Sequence, residues 1–468
     1  MEKENTWTRY KQKDVKAAFD FAEDYKDFIS RCKTERECVD AIVNSISKEG
    51  YMELGDAIKN NVTLKPGDKV YAVHMNKSLV MFQIGKEPMA KGMNILGAHI
   101  DSPRLDIKQD PLYEDGGFAL MDTHYYGGVK KYQWVTIPLA IHGVVIKKDG
   151  TTIELSVGED KDEPVFFISD LLIHLAQEQM EKKASHVIEG EALDVIVGNQ
   201  PLVYHGKKKE ESPVKEAVKA YILDILKEKY DFEENDFLSA ELEVVPAGPA
   251  RDAGFDRSMI LGYGHDDRVC AYPSYRAMLS VENPKRTACC ILVDKEEIGS
   301  VGATGMRSHF FENAVAEVMA LTGDESPLHL RRALSNSYML SSDVSSAFDP
   351  TYASSFDKKN VAYLGGGMVF NKFTGSRGKS GSNDANAEYL AQLRNVLDKE
   401  KVNFQTAELG KVDLGGGGTI AYILALYGMN VIDSGVAVLN MHAPHEAISK
   451  ADLYETLRGY EAFLKHIG

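Results

Sequence analysis

Cysteine is scarce in this chain. Five occur in 468 residues, Cys32, Cys38, Cys270, Cys289 and Cys290, an odd number with no zinc-ribbon spacing, so neither a disulfide framework nor a cysteine metal site is expected. The adjacent Cys289 and Cys290 lie inside "TACCILV" and read as small buried hydrophobes. Basic charge is in deficit as well: 54 Lys and Arg stand against 70 Asp and Glu, a net charge of −16. Phosphate contacts need a basic face, so no nucleic-acid partner is expected. The lysine run 207–209 is followed at once by Glu210 and Glu211 and reads as a solvated loop.

Long apolar runs are missing too. No stretch approaches the roughly 20 residues of a membrane span, and the opening "MEKENTWTRYKQKD" has no apolar signal-peptide core. The expectation is a cytoplasmic protein with no membrane partner. There is no internal repeat and no low-complexity tract. The glycine clusters Gly365–Gly367 and Gly415–Gly418 lack the dinucleotide pattern, and "GSRGKS" at 375–380 fails as a phosphate loop because Phe373 stands where a glycine is required. Both clusters are expected to be flexible loops near a site.

What is present is an ordinary globular composition, 44% apolar and 26% charged, on a chain too long for one hydrophobic core. Val15, Ala18, Phe19, Ala22, Tyr25 and Ile29 share a helical face, and Thr34 with Glu37 forms a capping box before a second helix. Residues 69–84 read as a hairpin turning at Asn76-Lys77. Beyond residue 93, short apolar strands alternate with helices. Residues 130–157 instead alternate like antiparallel strands turning at Asp149-Gly150. Helices are expected near 168–182 and from Ser212-Pro213, the latter burying Val214, Val218, Tyr221, Ile222 and Ile225. The fold class is α/β: a mixed central sheet flanked by helices, carrying a smaller, mainly β insert. Residues 1–108 and 254–468 form the main domain and 109–253 the insert.

Five apolar strands or turns stop abruptly at acids or histidines. They are "GAHIDSPRL" at His99 and Asp101, "GHDDR" at His265, Asp266 and Asp267, "LVDKEEIGS" at Asp294, Glu296 and Glu297, "SSDVS" at Asp343, and "NMHAPHE" at His442. A helix follows the last, with Ser449 as its cap and Asp452 at the third position. In open α/β sheets ligands gather beyond the carboxyl ends of strands, so one crevice could collect all five. The Glu296-Glu297 pair would suppress its own ionisation unless a cation compensated it. Two histidines and three carboxylates besides a further glutamate match two metals sharing one carboxylate. Zinc suits such mixed N/O ligands, with cobalt or manganese also possible.

These blocks, with "YYGGVKKYQW", "GEALDVIVG" and "DLGGGGTIA", resemble the aspartyl aminopeptidase and aminopeptidase I family of dinuclear zinc metallopeptidases, in that family's order from about 93 to 446. The resemblance implies two Zn2+ per chain. Asp266 would bridge them, with His99 and Asp343 completing one ion and Glu297 and His442 the other. Glu296 would be the general base for a metal-bridged water, Asp101 the outer partner of His99, and the Asp266-Asp267 peptide cis. The activity implied is removal of the N-terminal residue from short peptides. It also implies a homo-oligomer, a dodecamer built from dimers through the insert.

The chain departs from the family pattern in two places. Where much of the family reads His-Leu-Ala-Ile-His, this chain reads "DLLIH": Asp170 replaces the first histidine and only His174 remains. His124 is a candidate to take over that role. In "GGGMVFNKFTGSRGKSG", Lys372 is the candidate to meet an acidic substrate side chain, with Arg377 and Lys379 nearby, but its spacing is one residue long. Preference for acidic or neutral N-terminal residues is left open. The alternatives are a dinuclear metallo-carboxypeptidase or N-deacylase, and a non-catalytic assembly protein on the same scaffold.

Overall fold

The computed structural model describes residues 4–203 and 215–468. The chain divides into two compact units. One comprises Met1–Ser102, Ala250–Met441 and His445–Gly468; the other comprises Pro103–Pro249 and His442–Pro444. The insert therefore begins and ends a few residues earlier than the sequence suggested, and it claims a three-residue segment far down the chain.

The larger unit is built on a nine-stranded mixed sheet. Across it run Met52–Glu53, Lys69–His74, Ser78–Gln83, Ala288–Val293, Asn94–His99, Tyr338–Ser342, Asn430–Gly435, Met368–Asn371 and Phe404–Thr406. The four strands Ala288–Val293, Asn94–His99, Tyr338–Ser342 and Asn430–Gly435 are mutually parallel neighbours. Buried on both faces, they need apolar centres, which Ile95-Leu96, Cys289–Val293, Met339-Leu340 and Val431-Ile432 supply. Alternate residues feed opposite cores. Leu96, Ala98, Cys290 and Leu340 pack with helices Gln12–Arg31 and Lys450–His466 on one side. Ile95, Cys289, Ile291 and Met339 pack with helix Phe310–Leu321 on the other. A second sheet in this unit joins Arg251–Ala253, Met259–Gly262, Glu446–Ser449, Ala437–Leu439 and Ser345–Ser346.

Local signals hold at the N-terminus. Helix Gln12–Arg31 buries Ala18, Ala22, Tyr25 and Ile29 together with Phe21 and Phe28, while Val15 and Phe19 are half-buried. The Thr34 hydroxyl accepts from the Glu37 amide at 3.2 Å, and the Glu37 carboxylate accepts from the Thr34 amide at 3.0 Å. The hairpin pairs Lys69 with Gln83 and His74 with Ser78.

Two expectations need correction. Ser449 occupies the N-cap of Lys450–His466 but makes no side-chain capping bond. Asp452 instead turns to the glycine cluster, its carboxylate accepting the Gly365 and Gly367 amides at 2.8 and 2.7 Å. That segment is therefore a pinned turn, not a flexible loop. Gly367 has φ +85°, and a Cβ there would meet the Asn403 carbonyl oxygen at 2.2 Å, so the tie depends on glycine.

The smaller unit is a six-stranded antiparallel sheet, ordered Thr152–Val157, Leu139–Ile146, Ala240–Pro246, Arg104–Asp115, Phe118–Tyr126, Val195–Gly198. Helix Ala217–Tyr230 buries Val218 and half-buries Tyr221, Ile222 and Ile225; its expected start at Ser212-Pro213, with Val214, lies outside the described residues. An apolar cavity of about 480 Å³ within the unit is lined by Phe118, Phe166, Ile222, Phe232 and Leu242, among others. The helix expected at 168–182 does not form. A single turn at Ile173–Leu175 and a four-residue helix at Gln177–Met180 take its place. Asp170 accepts bonds from the Leu171 amide and the Gln179 amide side chain, both at 2.8 Å. Leu171, Leu172, Ile173 and Leu175 are exposed, so this unit provides no core for a continuous helix to pack on. Among the described residues no helix is long and apolar enough to cross a membrane.

Candidate metal centre

The parallel strands end level with one another. His99 pairs with Val293, and Ser341 with Gly97. His99, Asp294 and Asp343 thus leave adjacent strands at the same edge. After Val293 the chain turns sharply, with Lys295 at φ +70° and Gly299 at φ +95°, around the single turn Glu296–Ile298. The turn aims two amides at Asp101, which is fully buried: Glu296 N–H donates to Oδ1 and Glu297 N–H to Oδ2, each at 3.2 Å.

Asp101 also fixes His99. Its Oδ1 lies 3.2 Å from His99 Nδ1, and its backbone oxygen lies 3.0 Å from the same nitrogen. A carbonyl can only accept, so Nδ1 carries a proton and Nε2 is the nitrogen that faces the acids. Nε2 lies 3.3 Å from Asp266 Oδ1 and 3.9 Å from Glu296 Oε2. Asp266 and Asp267 open the helical segment His265–Ser280 with non-helical dihedrals, and the peptide between them is cis, as expected. Asp267 accepts the His99 amide at 3.3 Å, and Ser102 Oγ donates to the Asp266 carbonyl at 2.6 Å.

Two groups of potential ligand atoms result, each lying within 4.8 Å of one another: His99, Asp266 and Glu297, and His99, Asp267 and Asp343. Burial raises the Asp343 pKa well above the carboxylate range, reinforced by the charges of Asp267, Glu296 and Asp266. Burial does the same to Asp267, with Asp266 adding to it. Burial opposes a His99 cation, yet the bonds to Asp101 and Asp266 outweigh it and hold that pKa well above normal. Carboxylates this crowded and this dry are relieved by taking up protons or by a cation among them. The donor set of imidazole and carboxylate oxygens fits a zinc-type cation.

Neither ligand group includes the remaining predicted residues. His442, at φ +66°, belongs to the insert unit's outlying segment. Its Nδ1 donates to the Gly128 carbonyl at 2.9 Å, which leaves the lone pair on Nε2; neither ligand group includes it. Lys372 is exposed directly after strand Met368–Asn371. Lys379 is engaged by Asp384 at 3.0 Å and lies over the Phe373 ring. His124 is exposed on a strand of the insert, its Nδ1 2.8 Å from the Tyr125 carbonyl. His174 lies in the exposed turn Ile173–Leu175.

Sequence reasoning passed over Asp267 as a ligand candidate, although the doubled Asp266-Asp267 was its signal. It also missed Asp433, an acid inside an apolar strand, and gave no role to Asp294. Asp294 is buried beside Thr304 Oγ1 at 2.5 Å and Lys295 Nζ at 3.2 Å, and burial with the nearby charges of Glu35 and Asp101 pushes its pKa up to about 7.

Comparison with known proteins adds family-level findings. The sequence pattern of the family described as aminopeptidase I zinc metalloprotease (M18) matches residues 28–464. A probable M18 family aminopeptidase 1 of Clostridium acetobutylicum is 63% identical over 465 residues, covering 99% of this chain and 98% of the relative. The crystal structure of aminopeptidase I from the same organism superposes with a TM-score of 0.91 at 61% identity, covering 99% of both chains. An M18 aminopeptidase crystal structure from Thermotoga maritima gives a TM-score of 0.93 at 44% identity over the whole of both chains. The S. cerevisiae mApe1 dodecamer structure shares the fold at 20% identity, with a TM-score of 0.77 over 96% of this chain and 97% of that one.

Proposed function

The chain belongs to the M18 family of aminopeptidase I zinc metalloproteases, and from that premise we propose how its residues carry out metallo-aminopeptidase chemistry. Two zinc ions per chain would be held by His99, Asp266, Glu297, Asp343 and His442, with Asp266 as the carboxylate common to both sets and Asp267 beside it in sequence. The observation that carries this reading is the convergence of His99 with four buried or half-buried carboxylates at one strand edge. Zinc in such a site polarises a peptide carbonyl and lowers the pKa of water to near neutrality.

Glu296 is the general base. It sits 3.9 Å from His99 Nε2 and is fixed at its backbone by Asp101. Its carboxylate takes the proton of the attacking water and returns it to the departing amine. Asp101 orients His99 and holds the Glu296-Glu297 turn, so it positions the base and a ligand together. Lys372 is the candidate to meet a carboxylate on the substrate's first side chain, since Lys379 is already engaged. The exposed apolar run Leu171–Leu175 supports self-assembly through the insert; the mApe1 relative is a dodecamer, and we propose the same order of assembly from dimers here. His124 is the candidate for the role of the histidine that Asp170 replaces.

The test is a pair of substrates and one analysis. A leucine anilide should be hydrolysed while its N-acetyl form is not, and the purified protein should hold about two zinc ions per chain. Equal release of the aniline from the blocked substrate would show that no free amine is needed and overturn this reading, and release of acetate instead would favour the deacylase. Comparing kcat/KM on Glu-, Asp- and Leu-anilides decides the preferred side chain.

A further inference from the structure

Asp433 stands in strand Asn430–Gly435 at 1% exposure. Its flanking strand neighbours are Ser341 on one side and Asn371 on the other. Side chains at paired positions share a face, so Ser341, Asp433 and Asn371 form a polar row across a sheet whose preceding row, Met339 and Val431, is core. An apolar side chain would suit the burial better, and a carboxylate here has a substantial desolvation cost.

One oxygen of Asp433 accepts the Thr419 hydroxyl at 2.5 Å; the other has no hydrogen-bond partner among the described residues. Thr419 Oγ1 also accepts the Ala421 amide at 3.3 Å, so its proton must point to Asp433. Thr419 closes the Gly415–Gly418 segment. Gly417 in that segment accepts the Gly375 amide at 2.7 Å, and Gly416, at φ +117°, lies so close that a Cβ would meet the Gly375 carbonyl oxygen at 2.0 Å. The loop containing Gly375 begins at Lys372, whose own carbonyl accepts the Ala385 amide at 2.8 Å. The base of this chain of bonds lies within the electrostatic reach of Glu296, whose charge acts on Asp433.

We propose that Asp433 is a positioning residue for substrate binding: through Thr419 and the Gly415–Gly418 segment it fixes the loop that presents Lys372. The inference rests on the aminopeptidase reading and on Lys372 as the residue that meets the substrate's side chain. Asp433 touches no reacting atom. It sets where the loop stands, so its loss acts on how well the first residue is held and on which first residue is preferred.

The experiment compares wild type with Thr419→Val, Thr419→Ser and Asp433→Asn on Glu- and Leu-anilides, with zinc content measured in parallel. Thr419 is half-exposed, so its variants fold even if the buried Asp433→Asn does not. Thr419→Val should raise KM about tenfold with kcat within about threefold, and shift the Glu-to-Leu ratio of kcat/KM at least about fivefold. Thr419→Ser, which keeps the hydroxyl, should restore both to within about twofold. Unchanged KM and ratio in Thr419→Val overturn the proposal, and so does a uniform fall in kcat with loss of zinc. A wild-type protein that does not cleave either anilide would instead sink the aminopeptidase reading.

Discussion

The two units handle buried charge in opposite ways. In the insert, buried ionisable groups come in complementary pairs. Arg104 bonds Asp106 at 2.8 Å, lies 3.3 Å from Glu243 and covers the Tyr126 ring, and His142 meets Glu159 at 3.0 Å. In the larger unit, Asp101, Asp266, Asp267, Asp294 and Asp343 are all buried near one sheet edge, and the pKa values of Asp267, Asp294 and Asp343 are driven upward. The insert puts its imbalance on the surface instead, as exposed Leu171, Leu172, Ile173, Leu175 and Met180. That sheet edge of the larger unit is short of positive charge; the insert is short of a cover for apolar area. The first deficit points to metal, the second to protein.

This contrast can be broken at several points. The largest effect should come from Glu296→Gln, which removes the proposed base while sparing the proposed ligands: turnover should fall about 10²–10⁴-fold with zinc content unchanged by metal analysis. Near-normal turnover would remove Glu296 from its role. Next, stripping the metal should lower the stability of the larger unit by about 3–4 kcal/mol relative to protein in zinc at 100–1,000 times its dissociation constant, read as a drop in Tm that zinc reverses. An unchanged Tm would mean that the acids tolerate one another without a cation.

A smaller effect is expected from Asp452, a buried acid with backbone partners but no cation. Burial pushes its pKa up to about 8 against the restraint of the Gly365 and Gly367 amides. The folded protein therefore holds a proton that the unfolded chain releases near pH 4. Its contribution is present below that pH and is lost as pH rises towards 8. Asp452→Asn should flatten the fall in stability between pH 5 and 8 by about 1–3 kcal/mol, measured by urea unfolding across pH; an unaltered slope would refute the raised pKa. Smallest in stability is Ile173→Asp in the insert, where the side chain is exposed. Unfolding free energy should move by less than about 0.5 kcal/mol, yet the assembly measured by light scattering should become smaller. An unchanged mass would show that this run is not an interface.

Much of this was legible in the sequence because it is local. An apolar run ending at His99, Val293 or Ser342 announces a buried strand and the chemistry at its end. Thr34 with Glu37 announces a helix start. What was hidden depends on contacts between distant positions: Asp452 reaches Gly365 across 87 residues, and His442 reaches Gly128 across 314. Local pattern favoured a serine cap at Ser449 and a helix at 168–182; tertiary partners decided otherwise. Asp433 escaped notice because a lone acid in an apolar strand carries no spacing signal.

Asp101 is one small carboxylate that serves three clients: the His99 ring and the amides of Glu296 and Glu297. On the proposed ligand set, anyone retuning this protein for another metal should therefore vary Asp343, which offers its own oxygen, and leave position 101 untouched. Altering that acid would loosen both halves of the machinery in a single stroke, with no way to adjust one and keep the other.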